Sequence, residues 1–528
     1  MARRRRTPPR PAAPAARPRR AEGLIAVAVA CGTWIVFLPA LRGAFLSWDD
    51  HANFVTNHAW RGLGAAQLGW IFTNFHMGHW IPVTWLSFSV DYLVWGMQPS
   101  GYHLTNVLLH AANAGLACLV TARLMEAGGV DGTARLVGAA FAALAFALHP
   151  LRVESVAWVT ERRDVLSTFF FLLAFLAYLR VVRRAPAWRH RAYWLALGSF
   201  VLALGSKSIT VTLPVILIIA DIYPLRRWTG AWRTRLAEKA PFFALSLLAG
   251  VVSMIAVREG GSASTLADLG IGGRLAITAY SLVFYPWKSI LPVRLSPLYE
   301  LPVGLDPLAP VYVASAVGLV ALSGAALALR RRAPWLLAAW AAYLVMALPI
   351  SGLVQNGPQI AADRYTYLPC LPLAMIAGLG VAWLARWPWV LAAPAAALAA
   401  LALLTVTQIG IWRDTRALWT HALAVAPSAI AYSSMGVVLD EDGEPQAAVA
   451  HFKDALRINP RLAHAQNNWG IALARQGQWQ EALAHYEEAL RLNPAYTEAR
   501  LNLAVALDRL GRSEEAQREV ARARAPRP

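Results

Sequence analysis

The sequence predicts an all-α protein in two parts, a polytopic membrane bundle followed by a short helical-repeat solenoid. Three observations carry that prediction. Of 528 residues, 57% are hydrophobic and only 15% charged, whereas a soluble globular domain runs nearer a quarter charged. The apolar residues come in blocks about as long as a bilayer core is thick, ~20 residues at ~1.5 Å each, and these recur from Ala21 to Gly410 and then stop. Beyond them the chain repeats itself with a 34-residue period.

Residues 1–22 open with MARRRRTPPRPAAPAARPRR. This Arg- and Pro-rich stretch cannot bury a core and is predicted to be a disordered cytoplasmic tail. The apolar run after it is long, with no convincing small-residue cleavage site, so it reads as an uncleaved first span rather than a signal peptide. Spans are predicted at 23–42, 102–124, 136–150, 164–182, 192–206, 208–223, 240–257, 310–329, 334–352, 366–384 and 388–410, about eleven crossings within a membrane domain of residues 23–411. The net charge of +19 does not indicate nucleic acid, because the Lys and Arg residues sit in short clusters between apolar blocks. Loops rich in Lys and Arg stay on the cytoplasmic side. With the N-terminus cytoplasmic, Arg183-Arg184, Arg226-Arg227 and Arg330-Arg331-Arg332 all fall inside. That parity requires the stretch 274–292, with Pro286, Lys288 and Pro292, to be re-entrant or interfacial. The C-terminal part then lies outside. Cys31, Cys118 and Cys370 are too few and scattered for a disulfide framework or a zinc site, and read as small packed hydrophobes.

Residues 412–524 carry the repeats. Asn459-Pro460 and Asn493-Pro494 are 34 residues apart, the tetratricopeptide period. At that spacing Gly436 pairs with Gly470, Ala448 with Ala482, Phe452 with Tyr486, and Ala455 with Ala489, and a third copy continues through Ala504, Ala516 and Ala523. Small residues let the helices of a pair approach closely, and the aromatic is expected to plug the gap between pairs. Trp419, Ala422 and Pro427 read as half a repeat fused to the last span. A functional surface on this solenoid would be its concave face.

Three polar segments interrupt the apolar pattern. The loop from Ser47 to Tyr102 begins with Asp49-Asp50-His51 and continues with His58, His76, His79 and several Trp residues. Adjacent carboxylates raise one another's pKa and suit a general base or a metal site; alternatively they cap a helix. The Trp residues form an interfacial belt or, for a few, a sugar-binding platform. The histidines lack helical ligand spacing, so no metal site is predicted. The second segment, His149-Pro-Leu-Arg152-Val-Glu154 through Glu161-Arg162-Arg163-Asp164, puts three Arg, two Glu and one Asp in a short loop predicted outside. Arg is disfavoured there, so it has either an anionic partner such as phosphate or partners within the loop, Arg152 with Glu154 or Arg163 with Asp164. The third is Asp363-Arg364-Tyr365-Thr366-Tyr367, where Arg364 suits a phosphate, and Lys207 adds one more cation on the same predicted face. Ionisable groups at membrane level default to a functional reading.

The Trp-Asp-Asp loop after the first span, the HPLRVESVAWVTERRDVLS string, the ADRYTYLP segment and the C-terminal repeats together resemble the TMTC family of transmembrane and tetratricopeptide-repeat proteins, relatives of the PMT-type protein O-mannosyltransferases. The resemblance runs from about residue 23 to 524 and is closest to bacterial members. It implies a GT-C-like glycosyltransferase in the bacterial inner (cell) membrane, taking sugar from a polyprenyl-phosphate donor at the outer face. The acceptor is a protein Ser or Thr, or another envelope glycan. It further implies that Asp49 or Asp50 deprotonates the acceptor hydroxyl, that the anomeric centre inverts, and that Arg152, Arg163 and Arg364 hold the departing lipid phosphate. Glu154 would orient Arg152 or bind a sugar hydroxyl, with His149, Asp164 and Lys207 in the same donor-binding set. A lipid-linked donor needs no nucleotide site, and the sequence has no Gly-rich phosphate loop; neither cofactor nor metal is called for. Animal members carry longer repeat arrays, which leaves acceptor recognition by these repeats open.

Two other readings compete. A non-catalytic scaffold would recruit a protein partner through its repeats. A transporter or flippase would place polar groups near the bilayer midplane, whereas here they gather at one face.

Overall fold

The computed structural model describes residues 17–182, 187–228, 232–260, 266–354 and 357–524. Residues 1–16 of the predicted tail and the Arg183-Arg184 cluster lie outside them. The rest of the predicted tail is ordered: α1 spans Arg17–Phe37, and Glu22 is buried between Arg123 and Arg135, 2.6 Å from each. A buried carboxylate with two cations extends the helix beyond the apolar run.

The long loop after α1 holds two helices, α2 (Ala65–Thr73) and α3 (Pro82–Trp95). Then come α4 (Pro99–Ala127), α5 (Gly132–Ala147), the short α6 (Val153–Ala157), α7 (Arg162–Val181), α8 (Arg191–Ser206) and α9 (Leu213–Ile222). After α10 (Trp232–Ala237), the bundle continues with α11 (Ala240–Gly260), α12 (Leu266–Ile290), α13 (Pro310–Ala328), α14 (Pro334–Ala347), α15 (Leu371–Leu384) and α16 (Ala392–Ile411). Proline opens α3, α4, α13 and α14 at the first turn, where its missing N–H has no intrahelical partner to lose. The only strands among the described residues are β1 (Tyr299–Glu300) and β2 (Gln359–Ala361), an antiparallel pair.

Every predicted span coincides with a helix, but the count of about eleven crossings does not follow. Among the described residues six helices are long and apolar enough to cross a membrane, or seven if the pair Gly132–Ala147 and Pro150–Ala157, bent by 56°, forms one span. The reason is length. α14 and α15 have 14 residues each, about 21 Å at ~1.5 Å per residue, short of a ~30 Å hydrocarbon core. Segment 274–292 belongs to α12, which kinks at Gly270 (φ 62°) and runs through Pro286. It is not one of the six, and both its ends meet loops at one end of the bundle: Arg274 donates to the Leu353 carbonyl, and the Ser289 carbonyl meets His149.

Close helix contacts rest on small residues. A Cβ on Gly138 of α5 would lie 2.6 Å from the Gly378 carbonyl of α15, so backbones touch there as in other membrane bundles. The outer helices do the reverse and expose large apolar side chains, among them Leu247 and Leu248 on α11, Val317 and Val320 on α13, and Leu403 on α16. Apolar surface on that scale marks a membrane protein.

The repeats follow as α17 (Thr415–Val425), α18 (Ala429–Glu441), α19 (Pro445–Ile458), α20 (Ala463–Arg475), α21 (Trp479–Leu492), α22 (Thr497–Arg509) and α23 (Ser513–Arg524). The aromatic fills space within a pair rather than between pairs: a Cβ on Gly436 would lie 2.6 Å from the Phe452 ring, and one on Gly470 2.6 Å from Tyr486. The turns are equally periodic, since Gly443, Gly477 and Gly511 all take φ near +80°, which costs a glycine nothing. The repeats are joined to the bundle at the end that holds the loop after α1. Trp48 packs between Trp158 and Trp419, with ring centroids 5.0 and 4.9 Å away, and the Ala44 N–H donates to the Arg413 carbonyl.

Candidate active site

Asp49 and Asp50 begin a helical turn that continues as a π-turn over His51–Val55. Neighbours on a helix point about 100° apart, and this pair has divided its work accordingly. Asp50 is fully buried and saturated. Its Oδ2 accepts from the Leu46 N–H (3.0 Å), and its Oδ1 from both the Thr160 N–H (3.0 Å) and the Thr160 hydroxyl (2.6 Å). Burial pushes its carboxyl up to about 7, against the pull of those donors. Asp50 thus clamps the first loop to the Val159–Glu161 turn; neither Asp caps its own helix through a side-chain bond.

Asp49 is partly exposed and makes no side-chain hydrogen bond or ion pair among the described residues. It faces a cavity with about 400 Å³ of open space, lined also by Asn53, His76, His79, Trp85, Phe88, Thr160 and Arg163. Burial raises its pKa, while Arg163 and Arg364 draw it back down. A half-buried carboxylate with an elevated pKa and free oxygens can accept a proton from a group that enters the cavity.

Behind Asp49 lies a packed ionic cluster. Glu161, fully buried, takes both Arg163 (Nη2 2.5 Å, Nε 3.1 Å) and Lys207 Nζ (3.0 Å), with Arg364 Nε at 3.4 Å. Lys207 also donates to Asp164 (2.7 Å), which accepts from the Ser155 hydroxyl as well (3.0 Å). Arg364 pairs with Glu154 and donates its backbone N–H to the same carboxylate at 2.8 Å. Neither predicted pairing forms: Glu154 holds Arg364 rather than Arg152, and Arg163 takes Glu161 rather than Asp164. Adjacent residues on a helix do not face each other: Glu154 finds its partner on the distant Asp363–Thr366 turn, and Arg163 reaches back to Glu161 at the end of the Val159–Glu161 turn, just before α7 begins.

Two of the predicted residues stand apart. His149 caps the turn Pro150–Arg152 by accepting the Leu151 N–H, and its other nitrogen meets the Ser289 carbonyl. Arg152 is 2% exposed, lies over the Phe146 and Tyr367 rings at 5.2 and 5.9 Å, and leaves Nε and Nη1 without a hydrogen-bond partner. Among the described residues it forms no ion pair. The third arginine of the string, Arg162, is structural: fully buried, it ties Asp91 (2.5 Å), Asn106 (2.7 Å) and the Tyr102 carbonyl (2.8 Å) together.

Sequence reasoning missed the walls of the cavity. His76 and His79 flank a turn in which Met77 (φ 50°) and Gly78 (φ 75°) both take left-handed backbone, and that turn folds them back beside Asp49. The available signal was two histidines around a glycine in a Trp-rich loop, which spacing alone cannot aim. No group of three metal-binding side chains occurs among the described residues.

Residues 473–528 match the family model described as "Tetratricopeptide repeat". The chain is 27% identical over 490 residues to "Protein O-mannosyl-transferase TMTC1" of Homo sapiens, covering 82% of this chain and 53% of that protein. It is 40% identical over 103 residues to "Protein O-mannosyl-transferase Tmtc1" of Drosophila melanogaster (20% of this chain, 11% of that protein), and 36% identical over 134 residues to "Protein O-mannosyl-transferase TMTC4" of Homo sapiens (24% and 18%). The chain therefore spans about half the length of human TMTC1 and less of the others. Its homologues are TMTC-family proteins, a membrane and repeat combination that the fold described above shares.

Proposed function

We propose that this chain is a membrane glycosyltransferase of the GT-C type. It moves a sugar from a polyprenyl-phosphate donor to a protein Ser or Thr, or to another envelope acceptor, on the outer face of a bacterial inner membrane. The observation that carries the reading is the division of labour between Asp49 and Asp50: one carboxylate is free beside a cavity, and the other is locked in place behind it. Asp49 takes the proton of the acceptor hydroxyl as its oxygen attacks the anomeric carbon. The bond from that carbon to the phosphate oxygen breaks, the phosphate leaves with the electron pair, and configuration inverts.

The donor side is supported by two features. Arg152 is a buried cation with no carboxylate partner, a situation costing about 3–5 kcal/mol unless an anion supplies one, and a lipid phosphate supplies it. An apolar groove with about 1010 Å³ of open space runs between α4, α7, α9, α14 and α15, its wall including Phe171, Phe175, Met346, Leu368 and Leu371. Leu368 and Leu371 are chain neighbours of Tyr367 and Cys370, which lie against Arg152, so the groove suits the prenyl tail. Arg163, Lys207 and Arg364 are each matched by a carboxylate and act as a fixed field behind the base. In this reading residues 23–411 form the catalytic membrane domain, and residues 412–524 are an extracytoplasmic platform beside the site. The activity for which the homologues are named favours this over a scaffold. The test is transfer of mannose by the purified protein from polyprenyl-phosphate-mannose to Ser/Thr peptides, with GDP-mannose as the comparison donor. Transfer from the lipid donor alone supports the reading; transfer from the nucleotide sugar, or none from a folded preparation with any lipid-linked sugar, overturns it.

A further inference from the structure

By sequence α17 opens the repeats, but its packing places it with the bundle. One hydrophobic core runs from Phe37 of α1 through Trp158 to Trp412, Leu418, Trp419 and Ala422 and on into α18 and α19. Leu483, Tyr486, Leu503 and Ala516 of the later repeats belong to a separate core. α17 is also gripped by two loops of the bundle. From the loop after α1, Ser47 donates both its N–H and its hydroxyl to Thr415 Oγ1 (3.0 and 3.2 Å), beside the Ala44–Arg413 hydrogen bond and the Trp48–Trp419 ring contact. From the loop between α12 and α13, Arg294 donates to the Val425 carbonyl (3.2 Å), and the Leu295 carbonyl meets His421 Nε2 (2.8 Å). That second loop leads to Tyr299, whose hydroxyl donates to Asp363 beside Arg364 (3.0 Å).

The grip matters because of what the first loop carries. Residues 43–48 have no regular structure, so partners outside the segment must satisfy and fix their backbone. Asp50 does so for Leu46, while Thr415 and Arg413 do so for Ser47 and Ala44. Asp49 makes no side-chain bond of its own among the described residues, so its two neighbours set its aim into the cavity. Asp50 is tied to Thr160 of the bundle, and Trp48 is held between Trp158 and Trp419. The indole N–H groups of Trp158, Trp412 and Trp419 are buried without hydrogen-bond partners. Flat rings, not hydrogen bonds, therefore hold Trp48.

We infer that α17 is a positioning element of the active site: Trp419 and Thr415 fix Trp48 and Ser47, and through them the direction in which Asp49 enters its cavity. The inference rests on the transferase reading for the role of Asp49. It divides the C-terminal region in two, with α17 a working part of the membrane domain and the later repeats outside the positioning of the base. The functional end of the membrane domain thus moves from residue 411 to the end of α17.

The test uses the full-length protein in nanodiscs and two readouts. The first needs no turnover. With the exposed Cys31 replaced by Ala, Asp49→Cys carrying a trifluoroethylthio group should give one fluorine NMR line displaced from the free-solvent position. Adding Trp419→Ala should split that line or shift it to the solvent position, whereas Tyr486→Ala, which hollows a later repeat, should leave it in place. The second readout is sugar transfer to a short Ser/Thr peptide. Trp419→Ala should lower kcat about a hundredfold, the scale of a ~1 Å misplacement, at unchanged donor KM. Thr415→Val should lower it about fivefold, the loss of a neutral hydrogen bond. Trp419→Phe keeps a ring against Trp48 and gives up no hydrogen bond, so it should recover most of kcat. A fluorine line that Trp419→Ala leaves in place overturns the inference, as does an equal loss of kcat in Trp419→Ala and Tyr486→Ala. A line that moves in Trp419→Ala alone, with no turnover of any lipid-linked donor by the parent chain, keeps α17 as the support of residue 49 and removes the transferase. Turnover whose kcat ignores both Trp419→Ala and Thr415→Val keeps the transferase and overturns the role of α17.

Discussion

Two of the bundle's buried ionic clusters, at opposite ends, are built differently. At the end away from the repeats, Asp221 accepts from the Tyr178 hydroxyl (2.8 Å), Arg227 (3.0 Å) and Lys239, and Glu238 accepts from Arg227 (3.1 Å) and Arg235 (2.8 Å). Every carboxylate oxygen there has a donor. At the repeat-bearing end the same residue types tie α6, α7, α8 and the Asp363–Thr366 turn together, yet Asp49 is left unpaired on a cavity and Arg152 is left without an anion. Ionisable groups at membrane depth are commonly functional, but burial and charge do not separate these clusters. What separates them is whether the donors and acceptors are used up. A closed network staples helices, and an open one has capacity for a substrate.

The largest effects should come from breaking each cluster at its lysine. Lys239→Met leaves Asp221 with its other donors but strips a buried charge, and should destabilise by about 3–5 kcal/mol, measured by thermal melting in detergent. Lys207→Met should cost a similar amount and also lower activity per folded molecule, because it frees Glu161 and Asp164 behind the base; equal loss of activity in the two variants would erase the contrast. Next comes Arg152→Leu. If Arg152 awaits a phosphate, this change should raise the donor KM about tenfold or more, the scale of a charge-assisted bond, while melting stays put or rises because an unpaired buried cation is gone. A fall in melting temperature with unchanged KM would make Arg152 structural. A smaller effect is expected in the repeats, where Gly470→Val would drive a methyl into Tyr486 and cost about 1–3 kcal/mol, read as earlier proteolysis of the C-terminal helices.

A further expected effect is a pH dependence. Asp50 is raised from 3.8 to about 7 in the folded protein, so between those values the folded chain holds a proton that the unfolded chain releases. Stability from this group is therefore greatest below pH 4, declines as pH rises to about 7, and is constant above. Asp50→Asn mimics the neutral acid and should flatten that decline; an unchanged melting profile from pH 4 to 7 would show that Asp50 does not titrate there.

Much of this was legible in the sequence because it is periodic. Each apolar block became a helix, and Gly436 and Gly470 met their aromatics because the 34-residue spacing fixes both partners. The number of crossings was not legible, since an apolar block does not reveal that α14 and α15 stop after 14 residues. Pairings were misread for a related reason. Arg163 with Asp164 and Arg152 with Glu154 are neighbours in sequence, whereas Glu154 finds Arg364 210 positions away. The cavity was invisible because it depends on Met77 and Gly78 turning back, a backbone event with no compositional mark. The Asp-Asp pair was visible, but which of the two is free depends on Thr160, 110 positions on.

The most direct test of the account compares three carboxylates in one assay: sugar transfer per folded molecule, with melting temperature, for Asp49→Asn, Asp50→Asn and Asp221→Asn. Asp49→Asn should lose transfer by about a hundredfold or more, as removal of a general base does, at unchanged melting temperature, while Asp221→Asn should lose stability and keep specific activity. Transfer that persists in Asp49→Asn and vanishes only in Asp50→Asn would contradict the assignment of the free carboxylate as the base.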